Sequence, residues 1–247
     1  MPPERVRCTR KGTQPRYRRL HAECYKAWVE STEAVRDGDV MSDTRVAELD
    51  GRLARSARTR RAIVDALRAL HHDGDLRPTA PRVAERAGVS LRTVWQHFND
   101  LESLLIEAGQ RDYEIALRYV TPIDADVSLP DRLRQLVSQR GRMYEALAPV
   151  WRAARLQEPF SPAIRRNRDR LLDASRDQLE RVVGTELAAL PDDARQSAWA
   201  ALQVATTWST WESLRGELGL TVEDAEQAVF ILVSNLLTTL KTQHRRN

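Results

Sequence analysis

The segment at residues 79–105 constrains the fold more than any other part of the 247-residue chain. Val83, Ala84 and Ala87 are spaced so that they share one face of a short helix. Gly88 follows, and glycine is the residue that best tolerates the positive φ of a tight turn after a helix. The segment therefore opens with a short amphipathic helix that ends in a sharp turn.

A second short helix follows that turn. Ser90 is a favourable N-cap, and Val94 and Phe98, four residues apart, face inward. The remaining positions offer donors and small groups suited to phosphates and base edges: Leu91, Arg92, Thr93, Gln96 and His97. The spacing of Ala84, Gly88 and Val94 is that of a helix-turn-helix motif. The pattern thus predicts that the second helix enters a groove of double-stranded DNA.

Positive charge is concentrated in the N-terminal half, although 39 Lys and Arg against 35 Asp and Glu give a net charge of only +4. One group precedes the first clear helix with no acidic residue among its members: Arg52, Arg55, Arg58, Arg60 and Arg61. A second group lies within residues 1–19, where a solvated basic tail is an equally good interpretation. Such clustering favours a polyanionic partner.

Other classes of protein are poorly supported. The chain has no Gly-rich phosphate loop, HExxH or GxSxG motif, so we expect no enzyme activity, metal site or cofactor. Cys8 and Cys24 lack metal-ligand spacing, and the His71-His72 pair is interpreted as a solvated helix end. We see no pattern of a signal peptide, and the longest apolar stretch, residues 228–233, is too short to span a membrane. We therefore expect a cytoplasmic protein with no membrane partner.

Helical periodicity without alternating β pattern predicts an all-α fold of about nine core helices. Three regions are expected: a basic, largely disordered extension at residues 1–51, a three-helix helix-turn-helix DNA-binding domain at 52–105, and a helical effector-binding and dimerisation domain at 106–247. Because Met41 resembles a fresh start of translation, residues 1–40 are interpreted as either a dispensable extension or a mis-assigned start.

Capping and breaking residues predict the helix boundaries. In the extension we expect a short helix at residues 21–35. Further along, we expect helices from Ser56 to Gly74, Leu101 to Tyr119, Pro130 to an interruption at Pro149, Ser161 to Gly184, Pro191 to Leu218, and Thr221 to Leu240. Asn99 and Asp100 can cap the helix at Leu101, and Thr221 with Asp224 resembles a capping box at the start of the last helix.

Residues 58–105 resemble the DNA-binding domain of TetR (tetracycline-repressor-like) transcriptional regulators. The likeness lies in residues 83–90, in the short helix around residues 93–98, and in the acidic, Leu-rich helix that follows. It implies that Thr93 and His97 hydrogen-bond DNA phosphates. The rest of the chain resembles the family only in its helical plan.

Two positions depart from the family pattern. Trp95 stands where a Tyr is usual, and its indole N–H can still donate to a phosphate. Leu101 replaces a phosphate-contacting Lys, which predicts weaker phosphate binding. Leu91, Arg92 and Gln96 are candidates to contact a thymine methyl, guanine and adenine, although Arg92 contacting phosphate alone is an alternative. The full predicted DNA-binding set is Ser90, Leu91, Arg92, Thr93, Trp95, Gln96, His97 and Arg58.

The resemblance further implies a ligand-responsive repressor that binds a palindromic operator as a homodimer and is released by a small molecule. The last helix is apolar around much of its circumference, which predicts a dimer interface, with an ordinary core helix as the alternative. The predicted interface residues are Val222, Ala225, Val229, Leu232, Leu236 and Leu240.

The resemblance also implies an effector cavity between the later helices. Aromatic residues are numerous there, and the predicted lining is Met143, Tyr144, Trp151, Arg155, Phe160, Trp208 and Trp211. Arg155 or Arg142 would anchor an acidic ligand, although aromatic residues at helical spacing also suit an ordinary core. An effector-independent helix-turn-helix DNA-binding or architectural protein is therefore the alternative, and activation remains open beside repression.

Overall fold

The computed structural model describes the backbone of residues 43–244 and the side chains of residues 50–192 and 194–239. Predictions for the preceding extension, including those for Cys8 and Cys24, lie outside this range. The described part is all-α, as predicted, with no strand. Its helices are α1 (Asp43–His72), α2 (Ala80–Arg86), α3 (Leu91–His97), α4 (Leu101–Tyr119), α5 (Leu129–Gln157), α6 (Pro162–Ala188), α7 (Asp192–Ala205), α8 (Trp208–Glu212) and α9 (Val222–His244).

Helix α1 begins at Asp43, well before the predicted start at Ser56. Its C-terminal half buries the predicted stripe that includes Ile63 and Leu67, and the chain leaves the helix at Gly74 with φ of +89°. Residues from Arg55 onward form one compact unit. None of the helices described in this range is long and apolar enough to cross a bilayer.

The helix-turn-helix forms as predicted. Gly88 adopts a φ of +67°, which a residue with a Cβ rarely tolerates. Ser90 caps α3, because its hydroxyl oxygen accepts a hydrogen bond from the Thr93 N–H at 3.0 Å. Val94 and Phe98 are buried. They belong to a small core formed by α1, α2, α3 and the start of α4: Ile63, Val64, Ala66, Leu67, Leu70, Val83, Ala84, Val94, Phe98, Leu104 and Ala108.

Helix α4 connects this small core to a larger one. Asp100 caps its start as predicted, accepting a hydrogen bond from the Ser103 N–H at 2.7 Å. Ala108 belongs to the small core, whereas Ala116, two turns later, belongs to the larger core that α5, α6, α7, α8 and α9 complete. A rigid helix that contributes to both cores can transmit a shift in one to the other.

The predicted interruption of α5 at Pro149 is wrong. The helix continues through this proline to Gln157. Proline removes one backbone donor and crowds the preceding turn, but Leu147 and Val150 on either side are both buried in the larger core. Tertiary packing therefore maintains the helix across an unfavourable residue.

The prediction of a single helix from Pro191 to Leu218 is also wrong. Helix α7 ends at Ala205, and α8 starts only at Trp208. The Thr206 carbonyl accepts a hydrogen bond from the Tyr144 hydroxyl at 2.6 Å, and the Thr207 hydroxyl caps α8. A π-helical turn, Ser213–Glu217, follows. The same region also differs upstream, since α6 continues past Gly184 to Ala188.

Helix α9 begins as predicted, because the Thr221 hydroxyl accepts a hydrogen bond from the Asp224 N–H at 3.1 Å. The helix continues past Leu240 to His244. One of its faces, including Ala225, Val229 and Val233, is buried in the larger core against α5 and α7.

Candidate nucleic-acid interface and aromatic core

The predicted DNA-reading face of α3 is open to solvent. Arg92 and Gln96 are exposed, and so are Leu91 and Trp95, the latter with 42% of its surface accessible. Leu91 and Trp95 are thus accessible from solvent beside the two polar side chains. The helix carries no acidic residue. Its outward face can therefore approach a polyanion without charge repulsion.

Three other predicted DNA-binding residues lie at the edges of this face. Thr93 and His97 are half-buried, while Arg58 is exposed on α1. Besides capping α3, the Ser90 hydroxyl pairs with the Thr93 hydroxyl at 2.9 Å. Ser90 thus sets the start of the helix and orients the side chain of Thr93.

Arg60 has a role that was missed in the sequence, where it counted only as one of a basic group. Its Nε donates to Glu107 of α4 at 2.5 Å, and its Nη1 donates to the carbonyl of His97 at the end of α3. The guanidinium also lies 4.2 Å from the centroid of the Phe98 ring. A cation at the carboxyl end of a helix is favourable. Arg60 therefore joins α1, α3 and α4 instead of projecting toward DNA.

The start of α4 is joined to the start of α6 through Glu102. The Glu102 carboxylate accepts hydrogen bonds from the Ser161 hydroxyl at 2.8 Å and from the Ala163 N–H at 2.9 Å. Ser161 also caps α6 itself. Glu102, which lies shortly after the recognition helix α3, is thus hydrogen-bonded to the helical domain. The sequence spacing did not reveal this contact.

Four of the predicted effector-cavity residues come together as an aromatic cluster. The Tyr144 ring lies 5.6 Å from the Trp151 ring and 6.0 Å from the Trp211 ring, and Trp151 lies 5.9 Å from Trp208. Met143 is buried in the same core. The enclosed space beside Tyr144 and Trp211 is about 10 Å³, room for no more than a water molecule. The rings therefore fill this site in the present conformation.

The other predicted pocket residues lie apart from that enclosed space. Arg155 is exposed, donates to the Ser209 hydroxyl at 2.8 Å and lies 5.7 Å from the Trp208 ring. Arg142 is exposed as well. Phe160 is 83% exposed on a 3₁₀ turn, Glu158–Phe160. This turn precedes α6, and Phe160 lies apart from the aromatic cluster, in a separate open cleft with Leu101, Leu105 and Leu156.

Sequence reasoning also missed a buried cation in the larger core. Arg140, one turn before Tyr144 on α5, is only 5% exposed. Its Nε donates to Gln178 at 3.1 Å, and its Nη1 donates to the Thr206 hydroxyl at 2.6 Å. Burial lowers the pKa of the Arg140 guanidinium and raises that of the Tyr144 hydroxyl. Arg140 is one of six arginines of α5, and nothing in the sequence distinguishes it from the exposed ones.

The predicted dimer residues divide into two groups. Ala225 and Val229 are buried within the chain's own core, because they share a face with Val233. Leu236 and Val222 are half-buried against that core, Leu240 lies outside the described side chains, and only Leu232 projects clearly outward. The outward apolar residues of α7 and α9 are Val204, Ile231 and Leu232.

Comparisons with known proteins identify the architecture. No family profile and no curated protein matches the sequence. Among solved structures, a transcriptional regulator of Rhodococcus sp. Rha1 is similar with a TM-score of 0.57 and 19% identity over 74% of this chain and 96% of its own. A TetR transcription regulator of Haloarcula marismortui has a TM-score of 0.51 and 18% identity over 74% and 98%. The chain thus has the fold of TetR-family transcriptional regulators.

Proposed function

We propose that the protein is a transcriptional regulator that reads DNA through the outward face of α3. The observation that carries this proposal is a capped helix-turn-helix whose second helix is free of acidic residues and exposes Arg92, Gln96 and Trp95. Arginine and glutamine are suited to bidentate contacts with guanine and adenine in the major groove. The similar structures named as transcriptional regulators support the same proposal.

The test compares Arg92→Ala with Arg142→Ala, an exposed arginine on α5 that lies outside the proposed interface. If Arg92 contacts a guanine, the first variant loses about 1–3 kcal/mol of binding free energy on the preferred duplex and discriminates less at one base position. The control variant binds like wild type. Fluorescence anisotropy with a labelled duplex, repeated at several salt concentrations, measures both quantities. Equal binding by both variants would count against this surface.

In this proposal the protein binds DNA as a homodimer whose interface is formed by α7 and α9. Val204 is 65% exposed and Leu232 is 45% exposed, and their helices pack against each other. Exposed apolar residues on adjacent helices suit a two-fold, four-helix contact. A two-fold dimer would present two copies of α3 to the halves of a palindromic operator.

The dimer is tested by Leu232→Glu against Leu172→Glu, because Leu172 is similarly exposed on α6. A charge buried in an interface is costly, so the first variant should sediment as a monomer and bind operator more weakly. The Leu172 variant should remain dimeric. A wild-type protein that sediments as a monomer at micromolar concentration contradicts the dimer.

We further propose that a small molecule bound in the larger core lowers DNA affinity. The support is that α4 connects the larger core to the helix-turn-helix. Helix α4 contributes Ala116 to the larger core, and Glu102 at the start of α4 is hydrogen-bonded to the start of α6. A ligand that shifts α4 in both copies would change the separation of the two recognition helices. Couplings of this kind are typically about 1–3 kcal/mol.

A further inference from the structure

Arg140 is a buried cation without an anionic partner among the described residues. Its hydrogen bonds all go to neutral acceptors, namely the Gln178 amide oxygen, the Thr206 carbonyl and hydroxyl, and the Ser175 carbonyl. A buried charge is costly unless an opposite charge or a full set of hydrogen bonds compensates it. The Tyr144 side chain also lies within hydrogen-bonding reach of the guanidinium. Hydrogen bonds to neutral groups thus hold the charge of Arg140, and no carboxylate among the described residues neutralises it.

Further donors without acceptors lie in the adjoining aromatic cluster. The indole nitrogens of Trp151 and Trp208 are buried and have no hydrogen-bond partner among the described residues. Trp211 differs, because its indole donates to Glu145 at 2.8 Å. Buried polar groups in folded proteins are nearly always paired. These two indoles do not line the small cavity beside Arg140, so within that cavity the cation is the group that suits a negatively charged ligand.

The geometry places the cation and the rings in one line. Arg140, Tyr144 and Trp151 follow one stripe of α5, with Tyr144 about 6 Å and Trp151 about 16 Å along the helix from Arg140. Trp211 lies beside Tyr144. A flat ring held between Tyr144 and Trp211 would place a carboxylate attached to it near Arg140.

The site is closed, but the segment that closes it is irregular. Trp208 and Trp211 lie on the short helix α8, which the Thr206–Thr207 break precedes and the π-helical turn Ser213–Glu217 follows. Both boundaries disrupt the regular bonding of a helix, and π-turns are frequent at functional sites. Movement of α8 would enlarge the small cavity that Arg140, Tyr144 and Trp211 line.

From these observations we propose that the effector is a small aromatic carboxylate, held by its carboxylate on Arg140 and by its ring among Tyr144, Trp151 and Trp211. The proposal rests on the proposed regulatory function and specifies the chemistry of its ligand. It differs from the sequence-based expectation, in which the exposed Arg142 or Arg155 was the anchor. The Coulomb attraction between a guanidinium and a carboxylate is stronger in a low-dielectric core, and folding has already removed Arg140 from water, so only the carboxylate has still to be desolvated.

The experiment titrates the full-length protein with benzoate, phenylacetate and the neutral isosteres benzamide and phenylacetamide. Tryptophan fluorescence and the thermal unfolding midpoint report binding, and sodium chloride at matched ionic strength is the reference. At least one of the two acids should quench the fluorescence saturably and raise the midpoint, because ligand binding stabilises the folded state. Its amide should bind at least about tenfold more weakly, the loss expected for a charged hydrogen bond.

Two variants locate the site. Arg140→Met should abolish the response to the acid, whereas Arg142→Met should respond like wild type. If Arg140→Met fails to fold, the comparison of acid with amide on the wild-type protein still decides the proposal. Equal binding of acid and amide, no saturable response to either acid, a response to chloride alone, or an undiminished response in Arg140→Met would each overturn it.

The same samples separate this proposal from the proposed function. A wild-type protein that binds its selected DNA but neither acid would leave the regulatory function standing and remove the carboxylate effector. A protein that binds an acid through Arg140 but binds no DNA duplex would leave the carboxylate site standing and remove the regulatory function. An acid that binds through Arg140 and weakens DNA binding supports both.

Discussion

Replacement of Glu102 by alanine should weaken the connection between the helix-turn-helix and the helical domain. The carboxylate accepts one hydrogen bond from the Ser161 hydroxyl at 2.8 Å and one from the Ala163 N–H at 2.9 Å, at the start of α6. A hydrogen bond to a charged group contributes about 1.5–3 kcal/mol, and a carboxylate at a helix N-terminus adds about 0.3–1 kcal/mol. Because Glu102 is half-buried, water can replace part of the hydrogen bonding that the variant loses. We therefore expect Glu102→Ala to lower the free energy of unfolding by about 2–3 kcal/mol.

Urea unfolding followed by circular dichroism measures this change, with Glu114→Ala as the matched control. Glu114 lies on the same helix but is exposed, and its partners, Arg111 at 3.5 Å and Gln110 at 3.3 Å, belong to that helix as well. Exposed pairs of this kind are worth about 0–1 kcal/mol. Hydrogen exchange provides a local readout, since the Ala163 amide should exchange faster only in the Glu102 variant. If the two variants unfold alike and the Ala163 amide keeps its protection, the assigned role of Glu102 is refuted.

Three further predictions concern the two cores. His71 is buried, so the interpretation of the His71-His72 pair as a solvated helix end is wrong for this residue, although His72 is exposed. Burial lowers the pKa of His71 from 6.5 to about 4, so the unfolded chain binds the proton more tightly. The free energy of unfolding that is present above pH 6.5 should therefore fall by about 3 kcal/mol as the pH approaches 4, and urea unfolding of His71→Leu should show a flatter pH dependence. Arg60→Met should lower the free energy of unfolding by about 1–3 kcal/mol and should also lower DNA affinity. In the control variant Arg61→Met, at an exposed position, the free energy of unfolding should stay within about 0.5 kcal/mol of the wild-type value. Gly141→Ala would put a Cβ 2.8 Å from the Trp211 ring. Although alanine favours a helix, this overpacking should destabilise the fold by about 1–2 kcal/mol and alter tryptophan fluorescence. Unchanged stability and unchanged emission would contradict this packing.

Features with a local physical cause were predictable from the sequence. The positive φ of Gly88 and the caps at Ser90, Asp100 and Thr221 each depend on residues within a few positions, and the structure confirms all four. The helix-turn-helix could be recognised because it consists almost entirely of such local features.

Features that depend on distant residues were not predictable in the same way. Pro149 is accommodated by packing on both sides, and the break at Thr206 depends on donors from Arg140 and Tyr144, more than 60 positions away. The pattern of α9 left a dimer interface and an ordinary core helix both open, because a helix that is apolar around much of its circumference gives no indication of which side its own chain covers. Arg60 illustrates the same limit: its charge was visible, but its partners were not.

The central claim is that the outward face of α3 reads DNA. Selection of bound duplexes from a random-sequence library tests it most directly. The selection is carried out with the wild-type protein and with the double variant Arg92→Ala, Gln96→Ala. The wild-type protein should enrich an inverted repeat whose half-sites lie about 34–36 Å or more apart. The double variant should fail to enrich that repeat while unfolding like wild type. Absence of any enriched sequence with the folded wild-type protein, or enrichment of the same repeat by the double variant, would contradict the account.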